Sequence, residues 1–364
     1  MTDHRIPRRT ALGLAAAVPV LAAARPAQAR PRWQPEPIRG FMSNGSISRP
    51  NDFATMKEWG ATGVRLQMPA YRWAKELGLT FWEAWPTIVS WVTSEVQRAQ
   101  EAGIKIVVDL HDPALPGVVR DQPTFWSHPD LVPNLKRAWG DLAASLLPYR
   151  DAVWGFDLMN EPLDRTQLPA MPQQWPEIAE EVTAHIRTID RRTPIVFETG
   201  PGWYFTGFSS LSAPLSDPRV IYSGHFYASD KFTHQGVFDD TIGIRYPGTA
   251  DGQYWDRSRL AEEMAPAVEF SRKWSVPIYV GELSVIRWAP KEDAVQWLTD
   301  VLELIEEQQW SWAYHAFGEW HGWSLLYGEE FWKEGMEPRP KPVDYETERA
   351  KVIKSFLRTH RAPR

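Results

Sequence analysis

The sequence predicts an α/β protein built as a single (β/α)8 TIM barrel. Short apolar runs alternate with longer amphipathic stretches, which is the pattern of βα units and a parallel sheet. About eight such runs occur, and no linker rich in Gly and Ser separates them, so one closed barrel is expected. A chain of 364 residues accommodates that barrel with insertions. The predicted strands are 39–42, 63–67, 104–110, 152–159, 194–197, 220–226, 277–280 and 310–317.

Helices are predicted between these strands, and three connecting loops are longer than the rest. Gly60 and Gly103 follow the first two helices, where glycine commonly terminates a helix. Long loops at the carboxyl ends of barrel strands build specificity. The predicted helices are 51–59, 81–102, 130–147, 173–190, 256–274, 291–308 and 345–358. The long loops are 112–129 after strand three, 228–254 after strand six and 320–343 after strand eight.

Composition limits the class of protein. Hydrophobic residues make up 43% of the chain, enough for a large core, and the net charge of -6 argues against nucleic acid as a partner. Cysteine is absent, so neither a disulfide nor a thiolate nucleophile is available. The 20 tryptophans suit core packing, and a minority of them suit a surface that stacks on the apolar faces of sugar rings.

The amino terminus resembles an export signal. A basic segment with the pair Arg8-Arg9 precedes the apolar residues 11–24, and Ala27-Gln28-Ala29 suits a cleavage site. The arginine pair suggests the twin-arginine route. The apolar run is too short for a good membrane span, so no stable membrane insertion is expected after processing. We therefore predict a signal peptide over 1–29 and a catalytic domain over 30–364. The first residues of that domain, 30–37, are expected to form a loose lead-in. The predicted location is secreted or periplasmic.

One stretch organises the chemistry, namely V-W-G-F-D-L-M-N-E-P over 153–162. Its apolar part predicts a buried strand, and Pro162 cannot continue a ladder, so the strand should stop at Glu161. Strand seven likewise ends in a carboxylate, Glu282. Strands four and seven lie nearly opposite each other in an eight-stranded barrel. The two carboxyl groups are therefore expected to face one another across the end of the barrel that carries active sites.

Other polar groups collect at the ends of the predicted strands. Burying them there is costly without a partner or a purpose. Glycoside hydrolysis needs two carboxyl groups, one protonated to assist the leaving oxygen and one ionised. Glu198 is interpreted as a structural acid and left outside the site. The remaining polar residues at strand ends are Arg65, Asp109, His111, Asp112, Asn160, Thr199, His225, Tyr227, Tyr314 and His315.

Several of these residues resemble the motifs of glycoside hydrolase family 5, the cellulase family. Asn160-Glu161-Pro162 resembles the family's Asn-Glu-Pro signature, and Glu282 in Tyr-Val-Gly-Glu resembles its nucleophile motif. Arg65 resembles the strand-two arginine, and the match spans nearly the whole mature chain. Two further matches, in the order the family has them, are the strand-three histidine at His111 and the His-x-Tyr motif at His225 and Tyr227.

The resemblance implies a role for each residue. Glu161 would be general acid and then general base, and Glu282 the nucleophile of a retaining β-glycosidase. Arg65 would keep Glu282 ionised. Asn160 would bind the sugar 2-hydroxyl, and Tyr227 would donate a hydrogen bond to Glu282. His225 would orient Glu161. His111 would contact a sugar hydroxyl in the subsite on the non-reducing side. The resemblance implies a β-1,4-glucan as the first candidate substrate and a β-mannan as the second.

Strand eight departs from the family pattern. His315 stands where the family carries a tryptophan that serves as a sugar platform, so Trp320, or else Trp323, is expected to supply that surface. Glu319 is an additional acid without an assigned role. Endo or exo action and the oligomeric state are left open.

Two alternatives were weighed against this interpretation. A metal site built on His111, His225 and His315 is disfavoured because strand one has no His-x-His and no carboxylate set accompanies the histidines. No metal and no cofactor are expected. A non-catalytic carbohydrate-binding barrel is the second alternative. Such a barrel commonly lacks one of the two acids, whereas this chain has both Glu161 and Glu282.

Overall fold

The computed structural model describes residues 33–45 and 50–359, and the predicted export segment 1–29 lies outside them. Eight parallel strands form a closed barrel in which each strand pairs with the next and β8 pairs with β1. This confirms the predicted (β/α)8 architecture. The barrel strands are β1 Arg39–Ser43, β2 Gly63–Gln67, β3 Lys105–Asp109, β4 Val153–Asp157, β5 Ile195–Glu198, β6 Val220–Phe226, β7 Ile278–Leu283 and β8 Ser311–Tyr314.

Two predicted strands end at least two residues earlier than expected. Strand β4 stops at Asp157, and β8 stops at Tyr314 rather than at residue 317. Beyond β4 the chain reaches Glu161, which has a left-handed backbone with φ of 47°. An extended strand cannot continue through that conformation, so the ladder closes before it. Glu161 therefore lies on a turn above the strand.

The helices surround the barrel as predicted, with ends shifted by a few residues. Four short helices were not predicted because segments of four to seven residues show little periodicity. They are Ala70–Glu76, Pro123–Trp126, Gly207–Ser210 and Asp230–Thr233. The longer helices and the short first one are Phe53–Trp59, Phe81–Glu101, Leu131–Leu146, Trp175–Arg187, Arg257–Trp274, Lys291–Glu307 and Glu348–Thr359.

Local signals explain where several helices begin and end. Thr80 and Glu83 form a reciprocal capping box at the start of Phe81–Glu101. Gly60, with φ of 109°, ends Phe53–Trp59 in the left-handed conformation that glycine tolerates. The long loop after β6 also contains an antiparallel hairpin, Gly248–Ala250 with Gln253–Trp255. Among the described residues, no helix combines the length and the apolar character that crossing a membrane requires.

The segment before β1 closes the amino end of the barrel. Trp33 packs against a buried cluster that includes Ile38, Trp154 and Tyr279. The Trp154 indole N–H donates to the backbone oxygen of Glu36 at 2.8 Å. The predicted loose lead-in is therefore wrong over this part of the chain, because the packing of an indole anchors it. The open, carboxyl end of the barrel is left to hold the site.

Candidate active site

Strand register brings the predicted polar residues to one end of the barrel. Arg65 lies within β2, and Glu198 is the last residue of β5. On neighbouring strands β6 and β7, His225 pairs with Glu282, next to an irregularity in the register after Gly224. His315 follows the last residue of β8. These side chains therefore meet near the barrel axis although they are far apart in sequence.

Arg65 is the centre of this cluster and is fully buried. Several carboxylate and amide oxygens surround its guanidinium, and burial of such a cation would be costly without them. Burial alone would lower the pKa of Arg65, but the surrounding carboxylates raise it well above its ordinary value. The partners are Glu282 at 2.7 Å, Glu198 at 2.7 Å, Asp157 at 2.9 Å, Asn160 Oδ1 at 3.0 Å and Asp109 at 3.1 Å.

Glu282 has donors on both carboxylate oxygens. Oε1 accepts from Arg65 Nη1 at 2.7 Å, and Oε2 accepts from the Tyr227 hydroxyl at 2.8 Å. His315 Nδ1 lies 3.1 Å and His225 Nδ1 3.7 Å from Oε2. Burial pushes the pKa of Glu282 upward, but His225, His315 and Arg65 together hold it well below its ordinary value. These neighbours therefore favour the ionised form of Glu282.

Glu161 faces Glu282 from the turn after β4. Its Oε1 lies 2.9 Å from His225 Nδ1, and its Oε2 lies 3.8 Å from Arg120 Nη2. One ligand atom from each of Glu161, His225 and Glu282 lies within 4.8 Å of the others. The Glu161 side chain is 16% exposed, whereas that of Glu282 is 5% exposed. The structure thus brings the two predicted carboxyl groups together, one more open to solvent than the other.

Glu198, which the sequence interpretation left outside the site, joins these groups. Its Oε2 accepts from the backbone N–H of Glu161 at 2.9 Å, and its Oε1 lies 3.3 Å from His225 Nε2. Burial raises the pKa of Glu198, but His225 and Arg65 lower it to about 2. In turn, burial lowers the pKa of His225, while Glu198, Glu282 and Glu161 raise it well above its ordinary value. Glu198 is structural, yet it fixes the Glu161 turn directly.

Two further acids were given no role by the sequence interpretation. Asp109 and Asp157 end β3 and β4, pair across those strands, and both contact Arg65. Burial and the nearby Glu198 raise the pKa of Asp157 well above its ordinary value, although Arg65 opposes the shift. The signal that was available is Asp157 itself, an acid inside an otherwise apolar strand. Both acids thus belong to the network around Arg65.

The two carboxyl groups line a cavity of about 200 Å³. His111 lies in its wall, with Nδ1 2.9 Å from Asp109 Oδ2. Three wall residues that the sequence interpretation did not select come from the predicted long loops and from the loop after β5. They are Arg120, Trp203 and His234.

A second cavity of about 630 Å³ lies beside the first, and His315 and Trp323 line both. Trp320, the expected platform, lines only the larger cavity and is 37% exposed. Trp323 is 8% exposed and shares the smaller cavity with Glu161 and Glu282. Of the two tryptophans expected to replace the strand-eight platform, Trp323 is therefore the one next to the carboxyl groups, and Trp320 lines only the neighbouring larger cavity.

The proximity of Glu161, His225 and Glu282 raises the question of a metal ion. A histidine ligand must offer a free lone pair, but His225 has one nitrogen on Glu161 and the other on Glu198, and its raised pKa keeps it protonated. His111 and His315, the other histidines of the metal hypothesis, also contact carboxylates. These residues form a hydrogen-bonded ion network rather than an open metal site.

A barrel whose carboxyl end carries paired acids in a cavity defines the class of the protein, which is a glycoside hydrolase. The family model described as Cellulase (glycosyl hydrolase family 5) matches residues 33–320. The chain therefore belongs to glycoside hydrolase family 5, as the motifs indicated.

Curated relatives agree with this assignment, and solved structures share the fold. Cellodextrinase A of Ruminococcus flavefaciens is 26% identical over 272 residues, which cover 71% of this chain and 78% of the relative. Endoglucanase C of Acetivibrio thermocellus is 23% identical over 256 residues, which cover 60% of this chain and 69% of the relative. A hyperthermophilic endo-β-1,4-glucanase in complex with substrate has a TM-score of 0.65 at 20% identity, over 87% of this chain and 96% of that one. Endoglucanase Cel5A of Thermotoga maritima has a TM-score of 0.61 at 22% identity, and the match covers 88% of this chain and 96% of that one.

Proposed function

We propose that this chain is a secreted retaining β-glycosidase that cleaves β-1,4-glucan by double displacement. The observation that carries the proposal is the pair Glu161 and Glu282, whose nearest carboxyl atoms lie within 4.8 Å of each other. Retaining glycosidases keep their carboxyl groups about 5 to 5.5 Å apart, whereas inverting enzymes need about 6.5 to 9.5 Å to admit a water molecule. The short separation supports retention.

Glu282 is the proposed nucleophile because His225, His315 and Arg65 lower its pKa and so favour its ionised form. Its carboxylate attacks the anomeric carbon while the bond to the leaving oxygen breaks. Glu161 is the proposed acid/base and gives its proton to that oxygen. It then takes a proton from the water that attacks the anomeric carbon and releases Glu282. Because Oε1 of Glu161 is bonded to His225, Oε2 is the oxygen that exchanges the proton.

The neighbouring side chains support these roles. Asn160 directs its amide oxygen to Arg65 and lines the cavity, so its NH2 group is the donor proposed for the sugar 2-hydroxyl. Tyr227 donates to Glu282, and His225 orients Glu161. His111 is proposed to contact a sugar hydroxyl on the non-reducing side. Trp323, and Trp320 in the larger cavity, are the proposed stacking surfaces.

The proposed substrate follows from relatives named as a cellodextrinase and endoglucanases. Mannan is the second candidate, because Cel5A of Thermotoga maritima has been solved with mannotriose as well as cellobiose. The test is product analysis on β-1,4-glucans, β-mannans and aryl glycosides. We expect cello-oligosaccharides to be cleaved with retention of anomeric configuration. Cleavage of mannan alone would replace the first substrate by the second, and inverted products would exclude double displacement.

The nucleophile can be tested in the same preparation. A 2-deoxy-2-fluoro glycoside with a good leaving group should form a stable glycosyl-enzyme, since the fluorine slows hydrolysis of the intermediate. We expect the added mass on the peptide that contains Glu282, and no added mass in Glu282→Gln. If no substrate is cleaved and no label is formed while cello-oligosaccharides still bind, the protein is instead a non-catalytic carbohydrate-binding barrel.

Export is proposed from residues 1–29 alone. The arginine pair, the apolar segment and the Ala27-Gln28-Ala29 site support a twin-arginine signal. Expression of the full chain in a bacterium should give a processed protein outside the cytoplasm. Replacing both Arg8 and Arg9 by lysine should retain the precursor inside, whereas Arg5→Lys should not. Export of the doubly substituted chain at the normal rate would contradict the twin-arginine route.

A further inference from the structure

His315, the residue after β8, forms a triangle of close contacts with Tyr227 and the proposed nucleophile Glu282. His315 Nδ1 lies 3.1 Å from Glu282 Oε2 and 2.9 Å from the Tyr227 hydroxyl oxygen. The third side is the Tyr227 hydrogen bond to the same Oε2, at 2.8 Å. The backbone N–H of His315 also donates to Leu283 O at 3.0 Å, which extends the β7–β8 pairing by one residue. The imidazole is therefore held beside Glu282 through its own backbone.

Counting protons assigns the role of each atom in the triangle. Tyr227 has one hydroxyl hydrogen, which it donates in a hydrogen bond to Glu282 Oε2. The phenol oxygen can then only accept a further hydrogen bond. Both atoms within reach of His315 Nδ1 are then acceptors. An unprotonated Nδ1 would put a lone pair against two oxygens, so Nδ1 carries the hydrogen. His315 is thus a donor to the same carboxylate oxygen that Tyr227 serves.

We propose that His315 is a positioning residue that holds and stabilises Glu282 as an anion, in partnership with Tyr227. This inference rests on the proposed function, because it concerns the proposed nucleophile. Arg65, on β2, donates to Oε1 of Glu282. Tyr227 and His315, just past the ends of β6 and β8, donate to Oε2. The carboxylate is thereby fixed by donors on both oxygens, so that its orientation is set before the substrate arrives.

The surroundings of His315 leave the ring free for this task. Trp323 provides an aromatic wall in the same cavity, with ring centroids 6.0 Å apart, so stacking on the sugar does not require residue 315. The other titratable groups that interact electrostatically with the imidazole are His234, from the loop after β6, and Glu319, which lies past β8. Besides His315, Glu282 is faced by Arg65, His225, Tyr227 and Glu161. Loss of His315 would leave Tyr227 as the donor to Oε2 and make the anion less stable.

The test compares two substitutions that differ in whether they keep an N–H donor. His315→Asn keeps an N–H donor close to the position of Nδ1, and His315→Phe keeps a ring but removes the donor. We expect His315→Phe to reduce kcat/KM about 100-fold, mainly through kcat. We also expect the acidic limb of its kcat/KM profile to move upward by about one pH unit, because the free nucleophile is then protonated more readily. His315→Asn should restore a large part of both properties.

His321→Phe is the matched control, since His321 is another histidine past β8 but does not line the cavity that holds the carboxyl groups. It should leave the acidic limb in place. A merely structural role for His315 would lower the melting temperature without moving that limb. The inference is wrong if folded His315→Phe keeps both the limb and kcat/KM within about twofold of the parent. Trapping of Glu282 in the parent protein tests the proposed function separately, so the two failures are distinguishable.

Discussion

Arg65 Nη1 lies 2.7 Å from Glu282 Oε1, and both side chains are buried at the carboxyl end of the barrel. The same guanidinium also serves Glu198, Asp157 and Asn160. One planar group with five N–H donors therefore fixes residues from β2, β4, β5 and β7 relative to each other. The position of the proposed nucleophile depends on an arginine that does not line the cavity.

Arg65→Lys should test this dependence. A lysine keeps the charge but cannot serve oxygens in several directions, so we expect kcat/KM to fall at least about 100-fold in folded protein. Arg65→Met would leave buried carboxylates unpaired and should destabilise the fold by about 3 to 5 kcal/mol. The control is Arg187→Lys, which alters an arginine–aspartate pair with Asp217 away from the site. Full activity in folded Arg65→Lys would contradict the central role of this arginine.

Removal of the proposed acid/base should leave the nucleophile working. In Glu161→Ala, a substrate with a good leaving group should still form the glycosyl-enzyme, and added azide should restore turnover by attacking it. The product should be a glycosyl azide of β configuration. Glu282→Ala provides the contrast, because azide then replaces the nucleophile and gives the α product. Absence of rescue in Glu161→Ala would count against the acid/base role.

Glu198→Gln should weaken the site without touching the cavity wall. The amide loses the charge that faces Arg65 and His225, although it can still accept one of their hydrogen bonds. We expect a loss of about 3 kcal/mol in the free energy of unfolding and a fall in kcat/KM of about 10-fold or more. Denaturant unfolding and steady-state kinetics measure the two effects. Glu180→Gln, at a half-buried helix position whose carboxylate accepts from Ser216, should change neither by a comparable amount.

Because the pKa of Glu319 is raised, we expect the stability of the folded protein to depend on pH. Burial raises its pKa from 4.5 to about 7, although His315 and nearby N–H groups oppose the shift. The folded protein therefore binds this proton more tightly than the unfolded chain, so its stability falls as the pH rises from about 4.5 to about 7. Glu319→Gln should abolish that loss, which we place on the order of 2 kcal/mol after allowing for partial exposure.

Chemical denaturation at pH 4 and pH 8 measures the Glu319 effect. The stability gained by Glu319→Gln over the parent should be larger at pH 8 than at pH 4. Glu334→Gln, at an exposed position in the same loop, is the control and should give no such difference. Equal effects of Glu319→Gln at both pH values would show that this carboxyl group does not carry the predicted proton.

The order of strands and helices was predictable because each is a local pattern. Apolar runs of strand length alternate with amphipathic helices, and Gly60 ends its helix through a conformation that glycine tolerates. The short helices were missed because they span one or two turns, and residues 33–37 were misjudged because their anchoring depends on Trp154, far along the chain. In the site, Glu161, Glu282 and Arg65 were recognisable from motifs at the ends of strands.

The sequence by itself determined the barrel, the family and the acids that meet in it, since periodicity and short motifs are written along the chain. Only the tertiary structure decided what surrounds those acids. Closure of the barrel brings Glu198, Asp109 and Asp157 onto Arg65, places His315 on Glu282, and puts Trp323 rather than Trp320 beside them. These contacts join residues that are tens to hundreds of positions apart. Their energies depend on burial and distance, which no local pattern specifies.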